Sequence, residues 1–185
     1  MKRAIFLDRD GVINKYPGDF EYVKSWSEFQ FLPQVKPALK KLNQGGFELF
    51  IISNQAGVSK NLFSQKELDL ITANMLKELD CAGIHISHVY YCTHQQEDNC
   101  NCRKPKTGLI NLAIAQIKSK GSQINFKESF FIGDTIRDIQ TGKSAGLRTI
   151  LVFSGKEKPE NRHEWQSPPD FTAQDLTEAV EIILK

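Results

Sequence analysis

Phe6-Leu7-Asp8-Arg9-Asp10-Gly11-Val12-Ile13-Asn14 is the stretch whose reading decides the fold. Residues Arg3 to Asp8 (RAIFLD) are mostly apolar and bulky and read as a buried strand. That strand runs straight into two carboxylates and a glycine. Isolated charge is costly to desolvate, so acids at the end of a buried strand point to a site rather than to core. Asp8 and Asp10 lie two apart, and on a continued extended backbone their side chains point the same way. Two such carboxylates can hold a divalent cation and leave one oxygen free to attack. Gly11 permits the change of direction that must follow. The plain alternative is a helix cap and a solvated acid, because Asp before Gly is ordinary turn chemistry.

Outward from this strand the chain alternates. Lys15 to Gln30 is a long polar loop containing aromatic residues, of the kind that often forms part of a site. Pro33 opens a helix over about 34–43, stopped by Gly45-Gly46. Phe47 to Ser53 (FELFIIS) is a second buried strand, followed by Asn54 and Gln55. Ser64-Gln65-Lys66-Glu67 is a capping box that starts a helix carrying Leu68, Ile71, Met75, Leu76 and Leu79. Strands are expected at Ser87 to Cys92, Ser129 to Gly133 and Arg148 to Phe153. Thr107 is expected to cap a helix between the first two of these, and a short helix to about Ala145 follows Asp134. Ser154 to Pro169 reads as an exposed loop and 175–184 as a closing amphipathic helix. Strands alternating with helices require an α/β fold, a mostly parallel sheet of five or six strands with helices on both faces. Ligands of such sheets bind beyond the carboxyl ends of the strands. The unusual residues fall at those ends: Asp8 and Asp10, Ser53, Cys92, and Asp134. No repeat or linker divides residues 1–185, so one domain is expected.

Composition narrows the classes of function. A formal net charge of +2, with 25% charged and 40% hydrophobic residues, gives no support to general nucleic-acid or membrane-surface binding. No apolar run has spanning length, and the start MKRAIFLD is too short and too acidic for a signal peptide. A soluble, cytoplasmic monomer without nucleic-acid or membrane partners is the expectation. Of the four cysteines, three crowd around a histidine, which in a reducing compartment argues for metal rather than disulfides.

That cluster is Cys92-Thr93-His94, five residues, then Cys100-Asn101-Cys102. Three thiols and one imidazole in eleven residues match a closed tetrahedral zinc site over 92–102. With no ligand position free, the zinc is structural, standing in for a core and fixing Arg103 and Lys104 at the rim of the site. Cys81 reads as a small apolar residue, and His85, His88 and His163 show no partner pattern. The remaining constellations are polar. Ser53 and the following N–H groups suit a phosphate cradle, with simple capping as the alternative. Lys104 can neutralise a phosphoryl group, with a solvated surface charge as the alternative. In GDTIRD, Asp134 can complete a magnesium site; Asp138 either orients neighbours or is a solvated helix acid.

In order and strand placement, DRDGV (Asp8 to Val12), Ser53, Lys104 and GDTIRD resemble the haloacid dehalogenase superfamily of aspartate-nucleophile phosphohydrolases across nearly the whole chain. The resemblance implies a Rossmann-like sheet, magnesium, Asp8 as nucleophile and Asp10 as general acid and base. It also implies Ser53 and Lys104 on the phosphoryl group and magnesium held by Asp8, Asp134 and the backbone oxygen of Asp10. DRDGVIN, SNQAG and CxH…CxCRKP further resemble the zinc-loop heptose-bisphosphate and histidinol-phosphate phosphatase group, which lacks a large cap domain. By matching position, Tyr16, Pro17, Gly18, Asp19, Asn54, Gln55 and Thr135 would meet the substrate, a small phosphorylated metabolite, and Arg103 its distal part. Thr135 stands where heptose-type enzymes often carry Lys, and the five-residue spacer also resembles the histidinol-phosphate type. The bifunctional histidinol-phosphate enzyme carries a second catalytic domain that this sequence does not show, so the heptose reading leads. The rival classes are a phospho-signalling receiver and a nucleic-acid-binding zinc module. A receiver's acceptor normally follows a middle strand. A nucleic-acid module would carry an aromatic and basic stripe. A phosphomutase is disfavoured because a capless site admits water.

Overall fold

The computed structural model describes residues 1–185. Eleven regular elements were found: β1 (Arg3–Leu7), α1 (Val35–Gln44), β2 (Phe47–Asn54), α2 (Gln65–Cys81), β3 (His88–Cys92), α3 (Gly108–Ser119), β4 (Phe130–Gly133), α4 (Ile136–Ser144), β5 (Arg148–Val152), β6 (Phe171–Ala173) and α5 (Leu176–Leu184). The strands form one six-stranded sheet in the order β3-β2-β1-β4-β5-β6. Every pairing is parallel. The chain steps outward from β1 to β3, then returns to lay β4 on the other side of β1. The crevice between the ends of β1 and β4 is therefore the topological switch point, where such sheets bind ligands. Leu7 is in register with Ile51 on one side and Ile132 on the other, so Asp8 and Asp134 leave the sheet side by side.

Period-two alternation divides the strand residues between two cores. Ile5, Leu7, Leu49, Ile51, Ile132 and Ile150 pack with α1, α2 and α5. Ala4, Phe6, Phe50, Ile52 and Phe131 pack with α3 on the opposite face. The Ser64–Glu67 capping box forms as the sequence predicts, with the Glu67 N–H donating to Ser64 Oγ and Glu67 Oε2 accepting from the Ser64 N–H. No helix is long and apolar enough to cross a membrane.

Several local expectations are corrected. Thr107 precedes α3, but its side chain makes no capping bond. Cys81 is exposed rather than packed. A short sixth strand, β6, follows the loop after β5. That loop is not wholly exposed: Gly155 is buried beside Asp134, and residues 159–164 form a 3-10 turn. The loop over 15–30 contributes Val23 and Phe29 to the core, so it is anchored rather than free.

Candidate active site

β1 stops at Leu7, and the backbone turns at once. The carbonyl of Arg9 accepts from the N–H groups of Val12, Ile13 and Asn14, and Gly11 adopts a φ of 82°. A side chain at Gly11 would also collide with the Asp134 carboxylate. This turn ends the extended geometry after Leu7, yet Asp8 and Asp10 both line the cavity described below, as the sequence predicts. Asp8 faces the switch point. Asp10 turns toward Arg9, Asn14 and Gln55.

At the switch point Lys104 Nζ lies 2.9 Å from Asp8 Oδ2 and 2.6 Å from Asp138 Oδ1. It also donates to the carbonyl of Ile52 at 3.0 Å. The lysine is only 3% exposed, so it is no solvated surface charge. Asp138 is fully buried. Its Oδ2 accepts from Thr135 Oγ1 and from the Thr135 N–H, which caps α4 and ties the acid in place. Gly133 lets Asp138 pack directly against the end of β4. Asp138 is thus part of the lysine's setting, a placement that the sequence left open.

Carboxylate oxygens of Asp8, Asp134 and Asp138 all lie within 4.8 Å of one another. Three buried acids face one buried ammonium, an excess of negative charge that a divalent cation would balance. Burial raises the Asp8 carboxyl to about 6, although Lys104 pulls it down. Burial, then the charges of Asp8 and Asp138, hold Asp134 well above the usual carboxylate range. Lys104 behaves conversely: burial opposes its charge, but Asp138 and Asp8 hold it above its ordinary value. The acid set thus fits magnesium by chemistry and charge. The Asp10 carboxylate lies outside this set.

A cavity of about 370 Å³ opens over these groups. Asp8, Asp10, Ser53, Lys104 and Asp134 line it, as do Tyr16, Pro17, Gly18, Asp19, Asn54, Arg103 and Thr135. Gln55 does not line it. Its side chain is fully buried, with Nε2 donating to Asp10 Oδ2 at 2.8 Å and to Ser53 Oγ at 3.2 Å. Asn54 clips the lysine segment to β2, its amide exchanging bonds with the Lys104 carbonyl and N–H at 3.2 and 3.1 Å. Across the mouth, Asp19 Oδ1 accepts from Tyr16 Oη and Lys156 Nζ, both at 2.6 Å. Those bonds, Lys156 first, lower the Asp19 pKa. The Lys156 N–H also donates to Asp134 Oδ2 at 2.8 Å. Sequence reasoning missed Lys156 and Gly155; the rule that ligands bind beyond parallel strand ends, applied to β5, would have found them.

Beside this cavity, Cys92, His94, Cys100 and Cys102 place their ligand atoms within 4.8 Å of one another. Sulfur–sulfur separations are 3.3 to 3.6 Å, and His94 Nδ1 is 3.3 Å from Cys102 Sγ. Burial and the neighbouring Cys102 thiol push Cys92 up to about 12. Cys100 falls to about 7, because bonds from the Cys102 thiol and nearby backbone outweigh its burial. Three thiols and one imidazole nitrogen turned toward one another fit a tetrahedral zinc. The loop continues directly into Lys104, and Arg103 Nη1 donates back to the His94 carbonyl at 3.1 Å.

Comparison with known proteins gives concordant results. The family model described as HAD-hydrolase-like matches residues 101–179. The D-glycero-beta-D-manno-heptose-1,7-bisphosphate 7-phosphatase of Haemophilus ducreyi is 36% identical over 163 residues, 84% of this chain and 85% of that one. The D-glycero-D-manno-heptose-1,7-bisphosphate 7-phosphatase of Chlorobaculum tepidum is 32% identical, covering 96% and 92%. Among solved structures, the D,D-heptose 1,7-bisphosphate phosphatase of B. bronchiseptica, complexed with magnesium and phosphate, superposes with a TM-score of 0.87 at 29% identity, over 100% of this chain and 98% of that one.

Proposed function

This chain belongs to the haloacid dehalogenase-like hydrolases, and from that premise we propose that it is a magnesium-dependent phosphatase removing the 7-phosphate of D-glycero-D-manno-heptose 1,7-bisphosphate. One observation carries the reading: Asp8 stands at the cavity floor between Lys104 and two further buried acids. Such a carboxylate is held for chemistry on an anion, since no packing requirement explains it. The relatives' names supply the substrate.

Asp8, Asp134 and the backbone oxygen of Asp10 would hold magnesium, with the Asp138 carboxylate near enough to assist. When bound, the ion neutralises and orients phosphate oxygens. Ser53 and Lys104 bind the phosphoryl group in line with the free oxygen of Asp8. Asp8 attacks phosphorus, and Asp10 delivers a proton to the departing sugar oxygen. Ionised Asp10 then takes a proton from water, which cleaves the aspartyl-phosphate. The protein's main contribution is positioning and charge neutralisation. Arg103, Thr135 and the segment Tyr16 to Asp19 meet the rest of the sugar. Cys92, His94, Cys100 and Cys102 would hold zinc, which supplies folding energy to a loop too short for a core.

The deciding experiment is a phosphate-release screen with magnesium across heptose 1,7-bisphosphate, histidinol phosphate and nucleotides. Heptose bisphosphate should have the highest kcat/KM. A higher value for histidinol phosphate would assign the chain to the other zinc-loop branch. Phosphate retained on Asp8 for far longer than a turnover would instead make it a receiver.

A further inference from the structure

Arg9, between the two acids of the first motif, has no part in the mechanism above, yet it is the largest fully buried side chain of the protein. Burying a guanidinium is unfavourable unless it is well paired. Here its Nη2 lies 3.0 Å from both oxygens of Asp10, and its Nε donates to Oδ1 at 3.3 Å. Burial opposes the charge, but Asp10 and then Tyr91 more than offset it, and Arg9 stays protonated. Its Nη1 has no partner, and the guanidinium carbon is 5.7 Å from the centre of the Tyr91 ring. Two amides complete the grip. Asn14 Nδ2 donates to Asp10 Oδ1 and Gln55 Nε2 to Oδ2, each at 2.8 Å. Asp10 reaches the cavity, whereas Arg9, Asn14 and Gln55 do not line it.

We infer that Arg9 is the positioning residue for Asp10: with Asn14 and Gln55 it clamps the carboxylate from behind, so that one edge of Asp10 is presented to the leaving oxygen over Asp8. A planar fork onto a carboxylate fixes orientation as well as charge, which a lysine would not do. The inference rests on the reading of Asp10 as the group that protonates the leaving oxygen. In that step the bond from Asp8 to phosphorus forms, the bond from phosphorus to the leaving oxygen breaks, and the Asp10 proton passes to that oxygen.

The test uses single-turnover release of phenol from phenyl phosphate and of 4-nitrophenol from 4-nitrophenyl phosphate, with magnesium and the zinc-loaded protein. The two esters differ little in shape, but only the basic phenolate leaving group needs the proton, so the comparison does not depend on which sugar phosphate is the substrate. Arg9→Met should lose at least about 10-fold more rate on phenyl phosphate than on 4-nitrophenyl phosphate, a fraction of the effect of a general acid. Asp10→Asn should show the same selectivity, and Arg9→Met added to Asp10→Asn should lose nothing further. The double variant removes both buried charges together, so it also serves if Arg9→Met alone does not fold. Gln55→Leu, which strips one contact from Asp10 and one from Ser53 without stranding a charge, should show the same selectivity at smaller amplitude. Equal losses on both esters in the Arg9 and Gln55 variants, or additive losses in the double variant, would overturn the inference while leaving Asp10 in its role. Equal losses in Asp10→Asn would overturn the reading of Asp10 itself.

Discussion

Two clusters in this protein carry metal-ligand side chains, and they are built on opposite principles. Asp8, Asp134, Asp138 and Lys104 stand at the ends of central strands, with a hydrophobic core beneath them. Their scaffold is the sheet and α4. Of the thiol–imidazole cluster only Cys92 is part of a strand; His94, Cys100 and Cys102 lie on the loop that follows, with Cys100 and Cys102 half-buried against the core. One cluster uses the sheet to bring charges together; in the proposed reading the other would use an ion to hold its loop. The two meet at the Arg103–Lys104 step, where the loop delivers the lysine to the acids.

The contrast can be tested, beginning with the largest effect. Asp8→Asn should reduce phosphate release to background while circular dichroism and Tm stay near wild type, because an amide fits the site and relieves one buried charge. Lys104→Met should act on both clusters' meeting point: it leaves two buried acids unpaired and should cost about 3–5 kcal/mol of stability in denaturant titration, with activity lost as well. Stripping zinc should separate scaffold from loop. Residues 93–101 should become cleavable by protease and activity should fall, whereas the sheet's cooperative melt persists; purified protein should carry one zinc per chain. A loop that stays protected without metal would break the comparison.

A subtler difference appears with pH. Burial raises the Asp8 carboxyl to about 6, so protonation favours the magnesium-free fold, and that contribution is lost as pH rises through the folded value. Without magnesium, Tm should therefore decline from about pH 4.5 to 7, and the increase in Tm on adding magnesium should grow over the same interval. In Asp8→Asn the Asp8 part of this trend should vanish. Smallest of all, Lys156→Ala should remove the exposed pairing with Asp19 at the cavity mouth, raising KM modestly with kcat and Tm nearly unmoved.

How much of this was legible beforehand varies by residue. Strand ends announced themselves because a run such as FELFII cannot end in Ser-Asn-Gln, or RAIFL in Asp-Arg-Asp, without a reason outside the core. Ligand spacing in the cysteine loop was equally plain, since short loops bring near neighbours in sequence together. The partners of Asp10 were not legible: it shares the cavity with Asp8 as parity suggests, but nothing local marks Arg9, Asn14 and Gln55 as its donors. Gln55 looked like a substrate contact from its position and proved to be interior. Lys156 lay unseen in a loop because nothing local marks a residue whose partners are Asp19 and Asp134.

By itself, then, the sequence determined the alternation of strands and helices, the acids at strand ends and the thiol–imidazole set. These depend on burial pattern, backbone preference and ligand spacing, which operate over a few neighbouring residues. Only the tertiary structure decided which charges face one another: Lys104 with Asp8 and Asp138, Arg9 and Gln55 with Asp10. Those pairings join segments from separate strands, and they are set by how the parallel sheet orders β1, β2 and β4 and by which buried charges must find a partner.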